Sequence, residues 1–145
     1  MKRIVLQEER KYKMNNLDLI DMAIDARKNA YTPYSHFNVG AAILTKSGKI
    51  YTGCNIECSS YGISLCAERT ALVKAVSDGV KEFDKIAVVG GENDELIYTT
   101  PCGACRQFLA DFNKNMDIVM GYKEGNELEY KTMKLCELLP ETFEL

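Results

Sequence analysis

The stretch CAERTALVKAVSD (residues 66–78), followed by PCGAC (residues 101–105), decides how this chain is interpreted. The two stretches supply three thiols and one carboxylate, from Cys66, Cys102, Cys105 and Glu68. Three thiolates make a zinc site with one coordination position left for water, as in catalytic sites, whereas structural sites use four protein ligands. A metal that acidifies water beside a proton carrier is typical of hydrolysis. The two motifs therefore predict a hydrolytic zinc site.

Both cysteine motifs lie at the beginning of a predicted helix. Apolar periodicity predicts helices over residues 66–78 and 102–113. The two cysteines of the second motif are three residues apart, so one helix face presents both sulfurs. Partial positive charge at a helix N-terminus favours thiolates. Because Glu68 does not share a helix face with Cys66, two residues earlier, we expect its carboxylate to point past the metal.

Other interpretations of the cysteines stay open at this point. A single CxxC motif is also typical of redox sites and of half a four-cysteine structural zinc site, and Cys54, Cys58 and Cys136 are candidates for a fourth ligand. We predict that Cys54 and Cys136 are small buried apolar residues. His36 is predicted not to be a ligand, because three thiolates already fill the site. A disulfide framework is not expected in a chain of 145 residues without a secretory segment.

Composition and charge restrict the function classes. A chain with 46% hydrophobic residues is expected to form a single domain over residues 16–145, behind a polar leader of residues 1–15. The net charge of −3, from 18 basic and 21 acidic residues, argues against a surface that neutralises nucleic-acid phosphates. No apolar run approaches the about 20 residues of a membrane span. Six cysteines without a signal segment indicate a cytoplasmic protein with free or metal-bound thiols.

The remaining patterns predict an α/β fold. They indicate a helix over residues 17–30 capped by Asn16, a hairpin of strands 37–45 and 49–55, and a buried strand over residues 85–90. Two short strands around Gly125-Asn126, over residues 118–122 and 128–132, and a last helical piece over residues 137–139 follow. Strand–helix–strand alternation implies right-handed crossovers with helices covering the sheet. We therefore expect a three-layer α/β/α sandwich around a mixed five-stranded sheet.

Longer motifs carry a resemblance to a known family. They are YTPYSHFNVGAAIL (31–44), GKIYTGCNIE (48–57), CAERTALVKAV (66–76), PCGACRQ (101–107) and ELLP (137–140). In this order they closely resemble the small zinc cytidine deaminases over about residues 16–143. The resemblance implies the cytidine deaminase-like fold, one Zn²⁺ per subunit, a homotetramer, and no nucleic acid polymer or membrane as partner. It also implies hydrolytic deamination of cytidine and deoxycytidine to uridine and deoxyuridine with release of ammonia, in pyrimidine salvage.

The resemblance further implies roles for individual residues. They are zinc binding by Cys66, Cys102 and Cys105, proton transfer by Glu68, packing against the pyrimidine by Phe37, ribose binding by Asn55 and Glu57, base recognition by the Ala67 backbone, contact with a neighbouring subunit's site by Tyr61 and Phe143, and hydrogen bonding to a thiolate by Arg69. Arg106 is a second candidate donor, but an ordinary helix-surface arginine is the favoured interpretation for it. Three thiolates and Zn²⁺ sum to −1, which would weaken the acidification of water, and an arginine donor would offset that charge. One departure from the family is Cys58, where its NIEN motif has asparagine.

Three rival functions remain open at the level of sequence. The first is a deaminase of another cytosine-containing compound, such as a nucleoside antibiotic, although the complete NIE motif (55–57) favours ordinary nucleosides. A polynucleotide deaminase would need a basic groove, which the charge balance does not show. A non-catalytic zinc module would use four protein ligands and would not need Glu68.

Overall fold

The computed structural model describes residues 14–145. In chain order its elements are α1 (Asn16–Arg27), β1 (Phe37–Thr45), β2 (Ile50–Cys54), a 3-10 turn (Tyr61–Ile63), α2 (Ala67–Ser77), β3 (Phe83–Glu92), α3 (Gly103–Ala110), β4 (Asp117–Glu124), β5 (Glu127–Lys134) and α4 (Leu135–Leu138). The predicted leader lies outside the described residues except for its last two, and its boundary with the domain stays a prediction. Within residues 14–145, no helix is long and apolar enough to cross a membrane.

The five strands form one mixed sheet in the order β2-β1-β3-β4-β5. Strand β1 pairs antiparallel with β2 on one side and with β3 on the other. Strands β3 and β4 are parallel, because α3 carries the chain back along the sheet between them, and β5 returns antiparallel to β4. The predicted mixed five-stranded sheet is confirmed.

Side chains alternate across the three central strands, and both faces of the sheet are covered. One face packs against α1, through Leu19, Ile20, Ala23, Ala42, Leu44, Ala87, Val89 and Val119. The other face packs against α2, α3 and α4, through Ala41, Ile43, Ala71, Leu72, Ile86, Val88, Leu109, Ile118, Met120 and Leu135. Strands buried on both faces are continuous apolar runs, as in residues 86–89. The three-layer arrangement is therefore confirmed.

Two glycines allow helices to approach the sheet closely. A Cβ atom at Gly40 would collide with the backbone oxygen of Ala23 in α1. A Cβ atom at Gly53 would lie 2.5 Å from the backbone nitrogen of Ala71 and 2.6 Å from the backbone oxygen of Ala67, both in α2. Helix α2 therefore lies directly on β2, which fixes its N-terminus relative to the sheet.

Both ends of α1 differ from the prediction. The N-cap is Asn15 rather than Asn16, because the Asn15 side chain accepts a hydrogen bond from the Asp18 N–H at 2.9 Å. The helix ends at Arg27, three residues before the predicted end. The chain leaves the helix there because the backbone of Tyr31 instead bonds to the segment that follows β2.

The bounds of later elements also differ from the prediction, most of all in α3 and β3. Helix α3 covers Gly103–Ala110 rather than residues 102–113, since Cys102 has an extended backbone (φ −67°, ψ 165°) and stands outside it. Strand β3 is longer than the predicted 85–90, because its pairing with β1 continues over the whole of Phe83–Glu92.

Candidate metal centre

The three predicted ligands come together at the N-termini of two helices. Cys66 is the N-cap residue of α2, Cys102 is the N-cap residue of α3, and Cys105 lies in the first turn of α3. The Sγ atom of Cys102 is 3.7 Å from that of Cys66 and 3.5 Å from that of Cys105. All three sulfurs lie within 4.8 Å of one another. Zn–S bonds of about 2.3 Å in a tetrahedron place sulfurs about 3.8 Å apart, so the donors and their spacing fit zinc.

The two N-cap cysteines do not cap their helices in the usual way. Neither Cys66 nor Cys102 makes a side-chain hydrogen bond to the first N–H groups of its helix. The side-chain oxygen of Ser, Thr, Asp or Asn at this position would accept a hydrogen bond from a backbone N–H of the helix. The cysteine sulfurs therefore keep their lone pairs for a metal, while the positive helix ends favour their thiolate forms.

Arg69 contacts this group of thiols from α2. Its Nη2 atom donates to the Cys66 sulfur and to the Ser64 carbonyl oxygen, each at 3.3 Å. Hydrogen bonding from Cys105, and then from Arg69, lowers the pKa of the Cys66 thiol to about 5 against the opposing effect of burial. The Arg69 Nε atom is buried and has no protein partner within residues 14–145. The guanidinium therefore lies where it favours a thiolate.

Glu68 is buried in the first turn of α2, with 3% of its surface exposed. Burial raises the pKa of its carboxyl group to about 7, although a hydrogen bond with the Cys105 thiol acts in the opposite direction. A carboxyl group that changes protonation near neutral pH has the property required of a general acid and base. Within the described chain, the group of residues placed to hold a metal contains the three cysteines and not Glu68.

The other cysteines and the histidine lie outside this group. Cys54, Cys58, Cys136 and His36 are not among the clustered ligands of residues 14–145, so the four-cysteine alternative gains no support. The prediction that Cys136 is buried is wrong, since its side chain is exposed on α4 while the neighbouring Leu135 takes the buried position. Cys54 is half-buried rather than buried.

Arg106 binds backbone carbonyl groups rather than the thiols. Its Nε atom donates to the Pro101 carbonyl oxygen and its Nη1 atom to the Leu138 carbonyl oxygen, each at 2.7 Å. The guanidinium therefore ties the segment before Cys102 to α4. Sequence pattern alone did not distinguish this backbone contact from a contact with sulfur.

A second cluster of polar groups surrounds Glu57, just after β2. One carboxylate oxygen of Glu57 accepts hydrogen bonds from the N–H groups of Tyr34 and Ser35, each at 3.1 Å, and the other accepts from the Tyr61 hydroxyl at 3.3 Å. Hydrogen bonds led by the Ser35 side chain hold the pKa of Glu57 below its ordinary value. The Tyr34 and Ser35 contacts were missed by the sequence analysis, although both residues belong to the quoted YTPYS motif.

Asn55 links β2 to the beginning of β1. Its side-chain NH₂ donates to the Phe37 carbonyl oxygen, and its side-chain oxygen accepts from the Val39 N–H, each at 2.8 Å. The side chain thereby continues the β1–β2 ladder beyond its last backbone pair. The half-buried Phe37 begins β1, and its ring lies close to Gly90.

The remaining predicted residues occupy different surroundings. Ala67 is fully buried at the first position of α2, next to Cys66. Tyr61 is 59% exposed and contacts Glu57 of its own chain. Phe143 is 65% exposed and lies beside Ala110, at the end of α3 opposite Cys102. The described chain thus brings Tyr61 to Glu57 but does not bring Phe143 to the cysteines.

The sequence and geometry match a known protein family. The family model described as the cytidine and deoxycytidylate deaminase zinc-binding region matches residues 13–122, which include both cysteine motifs. The chain belongs to this family. Its matched part contains every residue of the metal centre and the whole Glu57 cluster.

Individual relatives agree with the family assignment. A cytidine deaminase from Sporosarcina psychrophila is 48% identical over 126 residues, which are 86% of this chain and 88% of that protein. A crystal structure of cytidine deaminase from Burkholderia pseudomallei is 42% identical, has a TM-score of 0.80, and covers 90% of this chain and 100% of the other. A blasticidin-S deaminase from Bacillus cereus is 37% identical over 102 residues, or 67% of this chain and 72% of that protein.

These findings confirm three predictions. The cytidine deaminase-like fold is confirmed by the structural similarity. The prediction of a hydrolytic deaminase is confirmed by family membership and by homologues named cytidine deaminase over most of the chain. Zinc as the cofactor is confirmed by the family's zinc-binding region together with the clustered cysteines.

Proposed function

We propose that the protein hydrolyses cytidine and deoxycytidine to uridine and deoxyuridine, with release of ammonia, in cytoplasmic pyrimidine salvage. The observation that carries this proposal is the buried carboxyl of Glu68 beside three clustered sulfurs, in a chain 48% identical to a cytidine deaminase. The six free thiols fit a reducing compartment.

The proposed chemistry divides between the metal and Glu68. Zinc held by Cys66, Cys102 and Cys105 would lower the pKa of a bound water to about 7, from 15.7 in bulk. Glu68 would take one proton from the attacking water as its oxygen adds to C4 of the base, and would pass that proton to the ring nitrogen. It would then take the second proton from the hydroxyl group added at C4 and give it to the amine, so that a C4 carbonyl forms and ammonia leaves. A carboxyl with a pKa of about 7 is suited to both transfers at neutral pH.

Arg69 and the helix ends would support this chemistry electrostatically. Three thiolates carry one more negative charge than Zn²⁺ neutralises, and the Arg69 guanidinium contacts one of them directly. Because outer hydrogen bonds of this kind tune the metal, we propose a charge-tuning role for Arg69.

Substrate recognition is proposed at the polar cluster. The ring of Phe37 would pack against the pyrimidine, the Ala67 backbone would contact the base, and Asn55 and Glu57 would bind the ribose hydroxyls. Glu57 is charged at neutral pH, because its pKa is lowered, so its carboxylate accepts hydrogen bonds from hydroxyl groups. Asn55 keeps one amide hydrogen beyond the one it donates to Phe37.

We also propose a homotetramer. An apolar surface surrounds Glu57, where Ile56 forms bridges to both Tyr31 and Leu65 and the ring of Tyr34 packs edge-on against Tyr61. These residues are between 38% and 59% exposed, which is unusual for contiguous large apolar side chains on a monomer. In this assembly Tyr61 and Phe143 would contact a neighbouring site. Sedimentation analysis would test it, and a fully active monomer would contradict it.

The decisive experiment compares the zinc-replete protein with Glu68→Ala in an ultraviolet assay of cytidine conversion. Glu129→Ala on β5 is the matched control, because it removes an exposed carboxylate that is far from the three cysteines along the sequence. We expect turnover by the parent and the control. In Glu68→Ala, kcat should fall by about 10²-fold to 10⁴-fold while zinc is retained. Near-normal kcat in Glu68→Ala would contradict the mechanism.

A second candidate substrate is a nucleoside antibiotic of the blasticidin-S type, favoured by the 37% identity to a blasticidin-S deaminase. Comparison of kcat/KM for cytidine and for blasticidin S distinguishes the two. The polynucleotide alternative predicts activity on single-stranded DNA or RNA, and the non-catalytic alternative predicts zinc binding without turnover of any of these compounds.

A further inference from the structure

The side chain of Arg27, the last residue of α1, binds four backbone carbonyl groups. Its Nε atom donates to the Asn38 oxygen at 2.9 Å. Its Nη2 atom lies 2.6 Å from the Gly91 oxygen, 2.6 Å from the Asn93 oxygen and 3.0 Å from the Glu95 oxygen. One cation therefore joins the beginning of β1 to the end of β3 and to the loop that follows.

The loop held by Arg27 continues to Thr99, which faces Phe37 across Gly90. We call Phe37 and Thr99 together the wall of the proposed base pocket. The Ile97 N–H donates to the Gly90 oxygen at 2.9 Å, and the Thr99 hydroxyl donates to the Ile97 oxygen at 2.9 Å. A Cβ atom added at Gly90 would lie 2.9 Å from Thr99 Oγ1 and 3.0 Å from Phe37 Cε1. The Phe37 ring and the Thr99 side chain thus both rest on Gly90, with no room for a larger residue beneath them.

The position of this wall also bears on the metal centre. Thr99 lies three residues before Cys102, so the loop after β3 leads directly from the Arg27 contacts to a zinc ligand. Asn38, which accepts from Arg27, directly follows Phe37. Arg27 therefore fixes both sides of the wall through the backbone, without touching the pocket itself.

Only a guanidinium suits this arrangement. Its planar fork presents donors in fixed directions to several acceptors, whereas a lysine ammonium is a compact point charge on a flexible stem. The close approach is possible because Gly40 leaves space for the backbone nitrogen and Cβ of Arg27, which would lie 2.7 and 2.8 Å from a Cβ atom at Gly40.

We propose that Arg27 is a positioning residue for substrate binding, which sets the distance between Phe37 and Thr99 through the loop of residues 91–97. This inference rests on the proposed function, because it takes Phe37 as the residue that packs against the base. A misplaced wall weakens binding of the pyrimidine more than it affects proton transfer by Glu68.

The test measures KM and kcat for cytidine in Arg27→Lys and Arg27→Gln. We expect KM to rise about tenfold, since displacements of this kind cost up to about 10²-fold, while kcat stays within about threefold and zinc content is unchanged. Leu44→Val is the matched control, because it lies in the same apolar layer as α1 but near the opposite end of β1 from Phe37. It lowers the free energy of unfolding and should leave KM unchanged.

A second readout separates positioning from general destabilisation. Amide hydrogen exchange of residues 91–97 should accelerate in both Arg27 variants and not in Leu44→Val. Turnover by the parent with unchanged KM in both Arg27 variants would overturn this inference alone. A parent protein inactive on cytidine would overturn the proposed function, and this inference with it.

Discussion

The metal centre and the Glu57 cluster treat their polar groups in opposite ways. Around Glu57, both carboxylate oxygens accept hydrogen bonds from the protein, and both ends of the Asn55 amide bind the backbone of β1. At the metal centre, burial raises the pKa of Glu68 and the Arg69 Nε atom has no partner within residues 14–145. The polar groups around Glu57 are thus hydrogen-bonded within the fold, whereas those at the metal centre are buried without full hydrogen bonding.

The two clusters therefore contribute differently to the stability of the folded chain. Hydrogen-bonded groups such as those of Asn55 stabilise the folded chain, whereas a buried carboxyl such as that of Glu68 destabilises it when charged. Such destabilising groups are typical of sites where chemistry requires them. The comparison can be tested by asking which substitutions remove activity and which remove stability.

The largest effect is expected for Cys105→Ser. The variant loses one of three sulfur ligands, so zinc binding and turnover should both fall to background. Zinc content by atomic absorption and cytidine turnover measure this. Cys136→Ser is the control, since its exposed thiol lies outside the clustered ligands. Equal zinc content in both variants would refute the ligand role.

A smaller, opposite pair of effects is expected for Asn55→Ala and Glu68→Gln. Loss of the Asn55 amide leaves two backbone groups of β1 unpaired and should lower the free energy of unfolding by about 1–3 kcal/mol. Glu68→Gln removes a buried carboxyl of raised pKa and should leave this free energy equal or higher above pH 7. Urea unfolding at matched zinc content measures both, and the reverse order would contradict the comparison.

The smallest effect is expected in the pH dependence at Glu57. Its pKa in the folded protein lies below the ordinary 4.5, so its ionised form stabilises the fold above that pH. This stabilisation is lost as pH falls through the lowered pKa of the folded state. The free-energy gap between the parent and Glu57→Gln should therefore narrow below pH 4.5, in urea unfolding at several pH values. Glu129→Gln controls for the loss of one charge, and a gap that widens on acidification would contradict the prediction.

Local pattern was sufficient for the elements and the thiols, and insufficient for contacts across the fold. The hairpin signal after residue 45 placed β1 at its observed bounds, Phe37–Thr45. The spacing of the cysteine motifs predicted a cluster because both lie at helix N-termini. The contacts of Arg27 were not predictable, because they depend on where the loop after β3 lies relative to α1 in three dimensions. The contacts of Arg106 with the Pro101 and Leu138 carbonyl oxygens were not predictable for the same reason.

The separation of the ligands along the chain also bears on how the protein is made. Cys66 and Cys102 are 36 residues apart, and they meet only through the sheet on which α2 and α3 rest. When Cys66 has emerged from the ribosome, the metal site cannot form until the second motif emerges. Strand β4, which flanks β3, is synthesised later still. From the synthesis of Cys105 until the sheet forms, three reactive thiols are exposed in a growing chain. This interval is thus the period in which oxidants or competing metals would do most damage, and metal insertion belongs to the end of folding rather than to its beginning.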